Sequence, residues 1–137
     1  MKKRMRYLIL PIIALILESI PYGVVLNYGL PSEDGSIAYF RETYSYFDLM
    51  SIGYGNFGPI VTAMLTCFAL FLLVIYCLIE KRQLLTITKY IVCIATLCSC
   101  FPIIMGVKYF SLVGIMISVT LAAETWVIIR YRTMVEK

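Results

Sequence analysis

Long apolar runs alternate with short polar joints along the chain, and the spacing of the joints predicts four membrane-spanning helices. A basic head, residues 1–6, precedes an apolar run over 7–26, close to the roughly 20 residues a helix needs to cross the hydrocarbon core. Pro21 would kink or fray that run. The head and the run 7–17 look like a secretory signal, but no small-x-small cleavage pattern follows, so an uncleaved first span is expected. The second run, 59–79, stops at Glu80-Lys81-Arg82-Gln83, with Gly58 placed as helix cap and Pro59 as first helical residue. The third, 84–107, carries Lys89 near one end and Pro102 as an expected bend. Gly106-Val107-Lys108 leaves room only for a tight hairpin before the fourth, 109–129, which ends at Arg130-Tyr131-Arg132. The expected fold is an all-α, integral membrane four-helix bundle forming one domain over residues 1–137, with spans at 7–26, 59–79, 84–107 and 109–129.

Residues 27–57 form the one sizeable polar segment, an extracytoplasmic loop of about 30 residues in this reading. Gly29, Pro31, Ser32, Glu33, Asp34 and Gly35 are turn and loop residues. The aromatics that follow have two readings. Phe40, Tyr44 and Phe47 fit the i, i+4, i+7 spacing of one helical face, with Tyr39 beside them, as in an aromatic belt at a membrane surface. A short strand pair fits equally well over so few residues. Either way Tyr39, Phe40, Tyr44 and Phe47 are the candidate outer interface. In the fourth run Ser111, Gly114, Ser118, Ala122 and Thr125 recur three and four apart, a small-residue seam on which another helix can pack closely.

Composition strengthens the membrane reading. An apolar fraction of 61% and a mean hydropathy of +0.89 exceed what a small soluble domain can hide. The net charge of +4 is a topology signal and not a nucleic-acid footprint. Lys2, Lys3, Arg4, Arg6, Lys81, Arg82, Lys89, Arg130, Arg132 and Lys137 fall on one side of the expected membrane, and only Arg41 and Lys108 on the other. The positive-inside rule then puts both termini in the cytoplasm and residues 27–57 outside.

Several chemistries are excluded. Without histidine there is no Ser-His or Cys-His nucleophile pair and no His-based metal site. Cys67, Cys77, Cys93, Cys98 and Cys100 all lie in apolar runs and read as packing residues. Asp34 and Asp48 both sit in the loop, so no intramembrane aspartyl pair exists, and no phosphate-binding glycine loop precedes a helix. No enzyme, cofactor or metal is expected. The candidate functional groups are two carboxylates inside apolar runs, Glu18 and Glu124, because a charge there is costly. Their depths differ by roughly 9 Å if both helices stand upright, which disfavours a shared site.

Three resemblances follow from particular residues. Ser51-Ile52-Gly53-Tyr54-Gly55-Asn56 resembles the selectivity filter of potassium channels, which would make Ser51, Gly53, Tyr54, Gly55 and Asn56 ion-facing. Met50, Asp48 and the lack of a glycine within 60–79 depart from that pattern, and a re-entry turn capping the second span is the plainer reading. A glutamate in the first span resembles the small multidrug exporters, which lack so long an outer loop. Tyr46-Phe47-Asp48-Leu49, Asn56-Phe57-Gly58-Pro59, Thr62-Ala63-Met64-Leu65-Thr66-Cys67 and the run 108–114 resemble small four-span membrane proteins of Gram-positive bacteria, a family that implies no activity. The expected role is a non-enzymatic accessory, interaction or envelope-protection protein of the bacterial cytoplasmic membrane. Its partners would be the lipid bilayer and another membrane protein or a further copy of the chain, with no nucleic acid. The alternative is a small transporter or oligomeric cation channel using Glu18, Glu124 or the filter-like turn.

Overall fold

A computed structural model describes residues 5–31, 35–48, 57–106, 109 and 111–135. A 3-10 turn, Met5–Leu8, leads into α1, Ile9–Glu18. Two strands follow, β1 (Val24–Pro31) and β2 (Ile37–Tyr44). Then come α2 (Gly58–Ile79), α3 (Arg82–Ser99), a short α4 (Phe101–Met105) and α5 (Leu112–Val135). The chain is therefore not the all-α four-helix membrane bundle that hydropathy predicts. It is mostly helical with a two-stranded antiparallel sheet, and among the described residues only Gly58–Ile79 and Leu112–Arg130 are long and apolar enough to cross a membrane.

The first and third runs do not form single helices both long and apolar enough to span, for local reasons. Pro21 disfavours helix at the residue before it, and α1 ends at Glu18 after ten residues, about 15 Å of rise. Ser19 closes it, its hydroxyl donating to Leu15 O at 2.8 Å. The β-branched pair Val24-Val25 then starts a strand. At the third run α3 begins two residues earlier, and Arg82, Gln83, Thr86, Thr88 and Lys89 make its first half polar. That helix stops at Cys100, because Pro102 has no N–H to continue the ladder. Gly106, at φ +125°, ends α4 in a backbone region suited to glycine.

Of the two readings of the aromatic segment, the strand pair is what forms. β1 and β2 pair from Val24↔Tyr44 to Pro31↔Ile37, with Gly35 at φ +76° in the connecting turn. Phe40 and Tyr44, four apart, share a face in a strand as well as in a helix, which is why spacing alone could not separate the readings. Tyr28 stacks on its cross-strand partner Phe40 with ring centroids 5.9 Å apart.

The helices form one packed group in which α1 and α3 each touch both α2 and α5. The turn between α2 and α3 is two residues long, and Glu80 caps α2 in the left-handed region (φ 61°). Several inward positions are small or hydroxylated, beside larger core residues such as Leu73, Ile117 and Leu121: Ala14, Ala63, Ala69 and Ala95 are fully buried, as are Thr62 and Thr88. Those threonines satisfy themselves by donating to carbonyls one turn back, Gly58 O and Leu84 O, at 2.8 Å. Large side chains face outward instead, among them Phe68, Phe71 and Leu78 on α2, Leu97 on α3, and Leu112 and Val119 on α5. Exposed apolar bulk of this kind, with small residues at several helix contacts, is in keeping with membrane association.

The hairpin is fastened at its base. Val24, Val25 and Tyr46 are buried, and Tyr46 N donates to Glu18 O at 2.9 Å. Gly23 lets the Tyr46 ring approach, for a Cβ there would lie 2.8 Å from Tyr46 Cδ1. Gly114 of α5 backs onto the same joint, where a Cβ would meet Gly23 O at 3.0 Å. Replacing Gly23 by alanine is therefore expected to cost about 1–3 kcal/mol through overpacking. Unfolding in detergent checks this, and Tyr46→Leu in the same chain should recover part of the loss, giving a coupled pair in a double-mutant cycle.

Candidate functional site

Carboxylates buried without a counter-charge are the strongest functional signal in an apolar fold, and two occur among the described residues. Glu18, the last residue of α1, is 0% exposed, and Glu124 in α5 is 2% exposed. Thr66 of α2 reaches Glu18, its hydroxyl lying 2.8 Å from Glu18 Oε1 and 2.9 Å from Thr62 O. One hydroxyl proton serves both acceptors. Glu18 Oε2 and both carboxylate oxygens of Glu124 have no hydrogen-bond partner. The two side chains share no hydrogen bond.

Thr66 and Tyr46, which bond the side chain and the backbone of Glu18, are residues that the sequence did not single out as functional. Thr66 sits one turn after Thr62, and both were legible only as small residues on one side of α2. Tyr46 lay in the polar segment, where nothing distinguished it from its aromatic neighbours. It is 1% exposed, and its hydroxyl has no partner. A cavity of about 10 Å³ beside it is lined by Gly23, Ser99, Pro102, Tyr109, Ser111 and Gly114. That is room for a single water and nothing larger.

The small-residue seam is met by other parts of the same chain along its first turns. The Ser111 hydroxyl donates to Tyr22 O, and Ser118 Oγ lies 2.9 Å from Ser99 Oγ of α3. Ala122, one turn further on, is exposed. From there the buried stripe of α5 runs through Ile117, Leu121, Glu124 and Ile128, so Glu124 belongs to the packed face and Ala122 does not. The filter-like residues Ser51, Gly53, Tyr54, Gly55 and Asn56 lie outside the described residues. Gly58 is the first residue of α2 with Phe57 as its cap, and Pro59 occupies the first turn. Among the described residues no group of three His, Cys, Asp or Glu could hold a metal ion.

The expected outer aromatics do not form one face. Alternation along β2 sends Tyr39 and Phe40 to opposite faces of the hairpin, with Tyr44 on the Phe40 side. Phe47 is exposed in the turn after β2, where Ser45 N donates to Asp48 Oδ2 at 2.6 Å. On the Phe40 face, Glu42 accepts from the hydroxyls of Tyr28, at 2.6 Å, and Tyr44. The Tyr28 bond first and the Tyr44 bond second hold the Glu42 carboxyl below its ordinary value, and the same bonds raise both phenols. A depressed carboxyl stabilises the hairpin above its unfolded value and loses that contribution as pH falls through the folded one. The raised phenols act in the opposite range, fully present below the unfolded tyrosine value and lost on strong alkalinisation. Amide exchange in β1 and β2 should accelerate relative to the helices between pH 6 and pH 3, and Glu42→Gln should flatten that profile. An unchanged profile in the variant would remove the Glu42 bonds as its source.

Comparison of the chain with protein-family models, with curated proteins and with solved structures finds no match in any of the three.

Proposed function

We propose that the chain is a multi-pass protein of the bacterial cytoplasmic membrane, with both termini cytoplasmic, that acts without catalysis by presenting its hairpin to a partner outside. Orientation is supported by where charge falls. The hairpin base meets the end of α1 and the first turns of α5, and the end of α3 bonds α5 near there through Ser99 and Ser118. Arg6, Lys81, Arg82 and Arg130 therefore belong to the opposite end of the helices, in accord with the positive-inside rule. Lys89 and Arg130 lie over the rings of Tyr90 and Trp126, 4.6 and 5.0 Å from the centroids, an aromatic–cation pairing suited to the headgroup boundary. The segments that resemble small membrane proteins of Gram-positive bacteria favour that compartment.

The observation that carries the proposal is the contrast between the two strands. β1 is buried at its base and has Pro31 at its end, whereas β2 is exposed along most of its length and contains no proline. Tyr39, 83% exposed, projects from one face of β2 and Phe40 from the other. A strand with an unpaired edge, held rigidly at its base, is a template for an extended segment of another protein. The partner chemistry this fits is a peptide strand that adds to β2, with an apolar or aromatic side chain against Tyr39.

A photo-crosslinking residue at position 39, in the full chain in its native membrane, is expected to give one discrete protein adduct. The same residue at the outward-facing position 116 of α5 should give lipid adducts only. Thr43→Pro, which disrupts the β2 edge, should abolish the protein adduct while the chain still inserts. An adduct that survives Thr43→Pro, or lipid adducts alone at position 39, would exclude strand addition.

A further inference from the structure

Donors and acceptors around Tyr46 do not match up within the protein. The side chain is 1% exposed, and its hydroxyl bonds to none of the described residues. A buried donor without an acceptor is costly. The hydroxyl points to the cavity beside α5: the place a Cβ on Gly114 would take lies 3.6 Å from Tyr46 Oη and 3.7 Å from Ser111 Cβ. Ser99 lines the same cavity from the end of α3. Each serine has already committed its single proton elsewhere. Ser111 donates to Tyr22 O, and Ser99 donates to Thr96 O at 2.8 Å. What both still offer to the cavity is an oxygen lone pair. The phenol therefore brings a proton without an acceptor, and the serines bring lone pairs without a donor.

We propose that this cavity is a binding site for one water molecule, which accepts from Tyr46 and donates to Ser99 and Ser111. The volume of about 10 Å³ selects a ligand of that size. The chemistry selects its kind. A molecule with two hydrogens and a free lone pair meets two serine oxygens and one phenol with nothing left over, and about three bonds is usual for a buried water. An apolar cavity would stay dry, but three hydroxyl-bearing side chains line this one from separate elements. Tyr46 leaves the hairpin, Ser99 ends α3 and Ser111 precedes α5, so the water ties together parts of the chain that are far apart in sequence. The site does not depend on the hairpin having a partner, and the two proposals can fail separately.

The test joins a crystal structure of the full chain, grown from a lipid phase, to double-mutant cycles in detergent. One ordered oxygen is expected in the cavity, about 2.6–3.2 Å from Tyr46 Oη, Ser99 Oγ and Ser111 Oγ. In the cycles Tyr46→Phe is combined with Ser99→Ala and, separately, with Ser111→Ala. A shared water couples both pairs, and each double variant should depart from additivity by about threefold or more in the unfolding equilibrium constant. A direct bond from the phenol to one serine would instead couple that pair alone. A cavity without ordered density, coupling to a single serine, or additive effects at both would each overturn the proposal. Should a variant not fold, the density in the unmodified chain decides by itself.

Discussion

The main-chain bond from Tyr46 N to Glu18 O is the constraint on which the rest of the architecture turns. It joins the exit of the hairpin to the end of α1 and fixes the buried Tyr46 ring over Gly23. Gly23 in turn presents its carbonyl to Gly114, and Tyr22 offers its own to Ser111, so the start of α5 is seated by the same joint. Bulk at any of these positions would separate three elements at once. Backbone-to-backbone closeness of this kind suits an apolar surrounding, where exposing large side chains to lipid costs nothing and helix association comes from fit and from hydrogen bonds.

Hydropathy read α2 and the body of α5 closely, because both are uninterrupted apolar stretches with polar stops, and Glu80-Lys81-Arg82 marks the joint after α2. It overreached at the first and third runs. There a window average counts Val24, Val25 and Leu26 as helix-compatible although Pro21 has already ended the helix, and it smooths over Pro102 in the same way. The strand pair stayed open because Phe40 and Tyr44 satisfy both periods. What decides it is pairing with Val24–Pro31, a contact no local window contains.

The buried acids were legible. Glu18 and Glu124 stand out by charge against an apolar background, and that signal held their burial correctly in view. Thr66 and Tyr46, which bond Glu18, were not legible, because contacts between distant elements leave no local mark. The α5 seam shows the same limit. Small residues mark where a helix can be approached, and the packed stripe also takes in Ile117, Leu121 and Glu124, which small-residue spacing does not reveal.

Glu18 serves two masters. Its backbone carbonyl is held by the hairpin and its side chain by Thr66 of α2. The hairpin is anchored at its base and extends away to the turn at Gly35, so it has the geometry of a lever whose fulcrum is this one residue. Any torque applied at the tip would reach the buried carboxylate through a single peptide unit, with no intervening side chain to absorb it. A hairpin and a buried acid, unrelated along the sequence, are thereby mechanically in series.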